Sequence, residues 1–285
     1  MSQQITPELR QWIIDQARAG HRPEAVLAAM RASGWEETVA LDAMETTLQG
    51  FMDTLQKPAV QPAPLAKVAV PEPRLKDRPS VVMAGDRPVQ VLMTMDNPRV
   101  VVFGGFLSEQ ECDQLVELAR PRLARSETVD TATGGSEVNS ARTSSGMFFG
   151  RGESALHQRI EARIAALLNW PVDHGEGLQI LRYGPGAEYR PHHDYFDPDQ
   201  PGTPAILQRG GQRVGTLVMY LNTPAQGGGT TFPDVGLEVA PLKGNAVFFS
   251  YAHPHPDTRT LHGGAPVISG EKWVATKWLR ERVFA

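Results

Sequence analysis

After Trp170-Pro171 the chain becomes a succession of apolar, β-branched runs separated by glycine and proline: Leu178–Tyr183, Val214–Leu221, Ala246–Tyr251 and Lys272–Arg282. Helical patterns come before them. Leu156, Ile160, Ile164 and Leu168 recur at four-residue spacing, and Ser108-Glu109-Gln110-Glu111 is a capping box that opens a helix through Leu115, Leu118 and Ala119. Arg99 to Phe103 is a β-branched run closed by Gly104-Gly105, and Ser126 to Ala141 reads as a polar loop. Helices followed by a run of strands predict an α+β fold, a β-sandwich or jelly-roll core backed by helices.

The remainder of the chain divides by composition. Residues 1–56 predict a small three-helix bundle: Thr6-Pro7 is a helix start, Leu9, Ile13 and Ala17 form a stripe, Pro23 to Ser33 carries Val26, Leu27 and Met30, and a third helix begins near Glu36. Residues 57–80 hold Pro58, Pro62, Pro64, Pro71, Pro73 and Pro79 among Ala, Val and Lys, which reads as an extended linker. Residues 81–285 form the domain that carries chemistry, with Val81 to Met93 able to begin it as an edge strand. Twenty-eight basic against thirty-two acidic residues give a net charge of -4, which advertises neither nucleic acid nor an anionic membrane. No apolar stretch is long enough to span a bilayer, the first residues lack a signal-peptide pattern, and the single Cys112 suits a reducing compartment. A cytoplasmic protein is expected.

His192-x-Asp194 is the chemical centre of the sequence. On an extended backbone the two side chains leave the same face, so one imidazole and one carboxylate can point at a single metal ion. A third ligand is needed, and spacing alone leaves His255 of His253-Pro254-His255 and His262 both open. Two histidines and one carboxylate with open positions are the ligand set of non-haem Fe(II) oxygenases. In an extended strand Lys272, Val274, Thr276 and Trp278 share one face and Trp273, Ala275, Lys277 and Leu279 the other. A lysine facing a barrel interior is costly unless something anionic pairs with it.

Several separated blocks then resemble one family. Tyr183-x8-His192-x-Asp194-Tyr195-Phe196, Gly211-Gln212-Arg213-Val214, Gly227-Gly228-x-Thr230-Thr231-Phe232-Pro233 and His262-x3-Pro266-Val267-x2-Gly270-x-Lys272-Trp273-x4-Trp278 look like prolyl 4-hydroxylases, as does Arg142-Thr143-Ser144-Ser145-Gly146 upstream. The resemblance covers roughly residues 100–282. It implies a double-stranded β-helix core, Fe(II), 2-oxoglutarate and O2, with ascorbate as a further cofactor. It makes His192, Asp194 and His262 the iron ligands, Lys272 and Tyr183 the partners of the distal carboxylate of 2-oxoglutarate, and Trp278 a residue lining the pocket. Arg213 and Arg142 match positions beside a bound peptide.

One departure is local. A glycine stands between Gly228 and Thr230-Thr231, and the acidic residue common before the family's threonine is missing. Collagen-modifying relatives carry secretion signals and cysteines that this chain lacks, so collagen is not the expected substrate. The leading expectation is hydroxylation of prolyl residues in a peptide or protein. The alternatives are a hydroxylase of a free amino acid or other small molecule, a binding protein built on the dioxygenase fold, and a Zn(II) hydrolase. The N-terminal bundle is expected to be a packing or dimerisation appendage, with a protein partner as the alternative.

Overall fold

A computed structural model of the chain describes residues 5–18, 20–56, 68–125, 128–129, 136–137 and 143–285. They fall into two compact units, Met1–Leu65 and Ala66–Ala285. In the first, α1 (Pro7–Arg18), α2 (Pro23–Ala32) and α3 (Glu37–Gln56) share a core of Ile13, Val26, Met30, Ala40, Ala43 and Met44. The apolar stripes that predict these helices are thus the faces that bury one another. Thr6 Oγ1 accepts the Leu9 N–H at 3.3 Å, capping α1 as its sequence position requires. Among the described residues no helix is long and apolar enough to cross a membrane.

In the second unit Val81–Ala84 (β1), Arg87–Met95 (β2) and Arg99–Gly104 (β3) lead into α4 (Glu109–Ala119). Ala124–Arg125 (β4), Thr128–Val129 (β5), Ser136–Glu137 (β6) and Ser145–Phe149 (β7) precede α5 (Ala155–Leu168). Leu178–Tyr183 (β8) and Tyr189–His192 (β9) come next, then α6 (Thr203–Gln208) and Arg213–Tyr220 (β10). Gln226–Gly227 (β11), Thr230–Phe232 (β12), Leu237–Val239 (β13) and Ala246–Ser250 (β14) follow. His262–Gly264 (β15), Val267–Ser269 (β16) and Lys272–Arg280 (β17) complete the order.

The large sheet runs β1-β2-β3-β14-β10-β17-β8-β7-β4 and the smaller one β13-β12-β15-β9, with antiparallel neighbours in both. Helices α4 and α5 cover one face of the large sheet. There Cys112, Leu115, Ile160 and Ile164 pack against Val101, Ile180, Leu217, Phe248 and Trp273. On the opposite face Val100, Leu181, Tyr220, Val247 and Val274 meet Phe232 and Val239 of the smaller sheet. Burial on both faces explains why the central strands read as nearly continuous apolar runs.

Several expectations are corrected here. From Val68 onward the proline-rich stretch is not a free spacer: Val68 N–H donates to Ala252 O, Glu72 N–H to Leu168 O, and Pro71 and Pro73 are buried. Its first part, 57–67, lies outside the described residues. Val81 to Met93 is a hairpin rather than one edge strand, because Gly85 at φ +64° permits the turn between β1 and β2. Within 126–141, read as a loop, Thr128–Val129 pairs with Ser136–Glu137. Gly227-Gly228-Gly229 passes the chain from β11, paired with β16, to β12, paired with β13 and β15.

The capping box forms as predicted, with Ser108 Oγ accepting from Glu111 N–H and Glu111 Oε2 accepting from Ser108 N–H. Glu111 also receives both ends of the buried Arg163 guanidinium at 2.8 Å, and Arg163 reaches Asp86 and Phe106 O as well. Burial alone would raise the Glu111 carboxyl. The Arg163 and Ser108 hydrogen bonds outweigh burial and hold it at about 2. Replacing Arg163 by alanine should therefore cost about 3 kcal/mol of unfolding free energy, because Glu111 is left charged and buried. Denaturant unfolding of the variant against the parent measures it. The same depressed carboxyl contributes stability above its ordinary range that is lost as pH falls toward about 2.

Candidate active site

Strands β9 and β15 pair antiparallel with His192 directly opposite His262, so the two imidazoles meet across the ladder with ring centroids 4.4 Å apart. Asp194, two residues on from His192, completes the group. Its Oδ1 lies 3.5 Å from His192 Nε2 and its Oδ2 3.4 Å from His262 Nε2. The ligand atoms of the three residues all fall within 4.8 Å of one another. His192 Nδ1 donates to Arg190 O at 2.9 Å and His262 Nδ1 to Thr260 O at 3.0 Å. A carbonyl only accepts, so each ring carries its proton on Nδ1 and turns the Nε2 lone pair toward Asp194.

The charge states suit a cation. Burial drives the His262 imidazole below its ordinary range, against the pull of the Asp194 carboxylate. Burial would raise Asp194, yet the facing histidines and Arg213 hold it well below the usual carboxylate range. The result is one anionic oxygen donor beside imidazole nitrogen donors, a set suited to a divalent transition ion such as Fe(II). His262, not His255, thus joins the pair. His253 and His255 gather elsewhere, around Asp257. His193 leaves on the other side of the strand and stacks on Tyr195 at 4.6 Å.

Asp194 is aimed by residues that carry no sequence signal of their own. Thr216 Oγ1 donates to Asp194 Oδ2 at 2.7 Å and accepts from Tyr251 Oη at 3.0 Å, all three groups being buried. Thr216→Val should weaken divalent-metal affinity about 10- to 100-fold while Thr216→Ser retains most of it. Metal titration of the full chain with fluorescence readout distinguishes the two.

The cleft that opens beside this cluster is lined by Lys272, Val274, Thr276 and Trp278 of β17, the alternate residues that strand periodicity places on one face. Tyr183, opposite Lys272 in the β8–β17 register, and Tyr189 line it too. Gly228 at φ +73° passes close to this lysine, where an added Cβ would sit 3.2 Å from Lys272 Cδ. Lys272 is 4% exposed, and among the described residues no carboxylate lies within ion-pair reach of its ammonium. Burial pushes its pKa down to about 8, with Glu238 the only opposing charge. Lys277, on the other face of the same strand and equally buried, is instead matched by Glu161 at 2.6 Å. One strand therefore carries one neutralised lysine and one left for an anion.

Arg213 borders the metal cluster through Nη1, 3.4 Å from Asp194 O, outside the lining of the cleft itself. Its guanidinium clamps the buried Glu176 at 2.7 and 2.9 Å and lies 3.9 Å from the Trp278 ring. It holds Trp278 in place rather than presenting free donors to a ligand. Glu176 sits between Gly175 and Gly177 and gave no sequence signal as its partner. Arg142 lies outside the described residues. Phe148, half exposed on β7, stands 6.4 Å from Trp278 and was not anticipated.

The chain is similar to known proteins. The profile of the 2OG-Fe(II) oxygenase superfamily matches residues 178–280. The chain is 43% identical to Prolyl 4-hydroxylase 1 of Arabidopsis thaliana over 203 residues, spanning 65% of this chain and 70% of that protein. It is 41% identical to Probable prolyl 4-hydroxylase 3 of the same plant over 216 residues, 68% and 73% of the two chains. Among solved structures, the 2OG complex of the viral collagen prolyl hydroxylase of Paramecium Bursaria Chlorella virus-1 aligns at 31% identity. That alignment has a TM-score of 0.49 and covers 64% of this chain and 95% of the viral one.

Proposed function

The chain belongs to the prolyl 4-hydroxylase family of 2OG-Fe(II) oxygenases, and on that premise we propose that it hydroxylates prolyl residues in a peptide or protein substrate. The observation that carries the reading is Lys272: a buried, unmatched ammonium in the same cleft as a two-histidine, one-carboxylate cluster. A dicarboxylate cosubstrate answers both features, one end at the metal cluster and the other at Lys272 and Tyr183. The paired sheets that flank the cleft read as a double-stranded β-helix, and the first unit as a helical bundle that binds a protein partner.

When bound, Fe(II) with 2-oxoglutarate and O2 supplies the oxidising power for C–H hydroxylation, the cosubstrate leaving as succinate and CO2. The chain's own residues do the rest. His192, Asp194 and His262 hold the ion, with Thr216 and the two backbone carbonyls fixing their orientation. Lys272 orients the cosubstrate by its distal carboxylate, and the apolar wall of Leu181, Val218 and Val274 keeps water from the reacting centre. Ascorbate is assigned the role of restoring reduced iron, and the cytoplasm is the proposed location.

A peptide is favoured over a free amino acid by half-exposed Phe148, whose ring stands 6.4 Å from that of the cleft-lining Trp278. Two rings make a platform for the flat face of a proline-rich chain, whose extended helix loses little entropy on docking. Phe148→Ala should raise the KM for peptide about 3- to 10-fold and leave the KM for 2-oxoglutarate unchanged. The reading as a whole is tested by following succinate release across a panel of proline-rich peptides and free amino acids. Turnover confined to free amino acids would replace the peptide reading with the small-molecule one.

A further inference from the structure

The turn between β14 and β15 holds the other histidines that the sequence brings together. His253-Pro254-His255-Pro256-Asp257 leads into a single 3-10 turn at Pro256–Thr258. Asp257 Oδ1 lies 2.5 Å from His253 Nε2 and 3.2 Å from His255 Nδ1. The three ligand atoms fall within the same 4.8 Å envelope as the first cluster. Prolines on both sides of His255 fix the backbone φ at alternate positions, so this convergence is built into the turn and little entropy remains to be lost on ligand binding.

The local hydrogen bonding leaves room for a cation. Asp257 N–H donates to His255 Nδ1 at 3.2 Å, so in the neutral ring that nitrogen is an acceptor. The Asp257 carboxylate oxygen at 3.2 Å is a second acceptor facing it. A metal ion on the Nδ1 lone pair would displace the Asp257 N–H and relieve the contact between the two acceptors. His255 and Asp257 are more than half exposed, so water can complete a coordination shell.

From this geometry we propose that His253, His255 and Asp257 form a second, solvent-facing site for a divalent transition-metal ion. The donor set, imidazole with one carboxylate, selects ions of the Zn(II), Co(II), Ni(II) and Cu(II) class over Mg(II) or Ca(II). The site is wired to the first. His255 O accepts from Thr258 Oγ1 at 2.8 Å, Thr258 and Thr260 hydroxyls meet at 3.0 Å, and Thr260 O holds His262 Nδ1 at 3.0 Å. An ion on the turn therefore stiffens the segment that orients an imidazole of the first cluster.

Equilibrium dialysis of the metal-stripped full chain against Zn(II), with bound metal quantified, tests the assignment. The expected result is two equivalents for the parent chain and one for the His253→Gln/His255→Gln double variant. Asp257→Asn, which keeps the shape of the turn, is expected to weaken the second equivalent alone. Asp194→Asn is expected to weaken only the first. One equivalent in the parent, unchanged in the double variant, would overturn the proposal and leave the turn an imidazole–carboxylate hydrogen-bond cluster. Two equivalents persisting in the double variant would equally overturn it, by placing the second ion elsewhere.

Discussion

Replacing Lys272 with methionine should raise the KM for 2-oxoglutarate by roughly two to three orders of magnitude, because it leaves the distal carboxylate unpaired in a dry cleft. The same change should make the ligand-free protein more stable. Lys272 is buried over the Tyr183 ring with no carboxylate in ion-pair reach among the described residues, so its ammonium opposes folding until an anion arrives. Thermal unfolding separates the two effects: 2-oxoglutarate with Mn(II) should stabilise the parent chain, while Lys272→Met should start higher and respond little. The pH dependence has a definite sign. Burial holds the free ammonium at about 8, below its ordinary range, and a bound carboxylate would raise it again. Cosubstrate binding therefore takes up a proton above about 8, and affinity should fall as pH rises through that range. A KM for 2-oxoglutarate that stays flat from neutrality to alkaline pH would contradict this account.

Asp194→Asn is the second large effect. The amide keeps the shape and the Thr216 contact but loses the anionic donor between the two imidazoles. Fe(II) retention and succinate production should both fall to background. Stability of the metal-free chain should fall as well, because a carboxylate held well below its ordinary range contributes folding stability that the amide lacks. Metal analysis after gel filtration and unfolding of the stripped protein give the two readings independently. An Asn variant that keeps its iron and its turnover would remove Asp194 from the ligand set.

How far the sequence carried these conclusions depends on the range of each interaction. His192 and Asp194 were legible because two-residue periodicity is local, and so was the facing of Lys272 with Trp278. The choice of His262 was not. It depends on β15 folding back beside β9, and residue types alone left His255 equally eligible; family resemblance made the choice. That no carboxylate among the described residues pairs with Lys272 while Lys277 has Glu161, 116 residues away, is likewise a tertiary fact. Arg213 shows the same dependence on range. Its partner Glu176 is 37 residues earlier, flanked by glycines, and nothing local revealed that the guanidinium was already engaged. The mixture of helices and antiparallel sheets was legible because helices α4 and α5 and strands β8, β10, β14 and β17 carry strong patterns. Short elements were not legible: β7 begins in Ser145-Gly146, which resembles a loop.

The central claim is that one cleft joins a metal cluster, a 2-oxoglutarate lysine and a peptide platform. Supplying isotopically labelled O2 to the Fe(II)-loaded chain with 2-oxoglutarate and a proline-rich peptide tests it most directly. Mass spectrometry should find one labelled oxygen in succinate and one on a prolyl ring of the peptide, in equal amounts. Labelled succinate formed at the same rate with and without every peptide tested, and no labelled peptide, would contradict it.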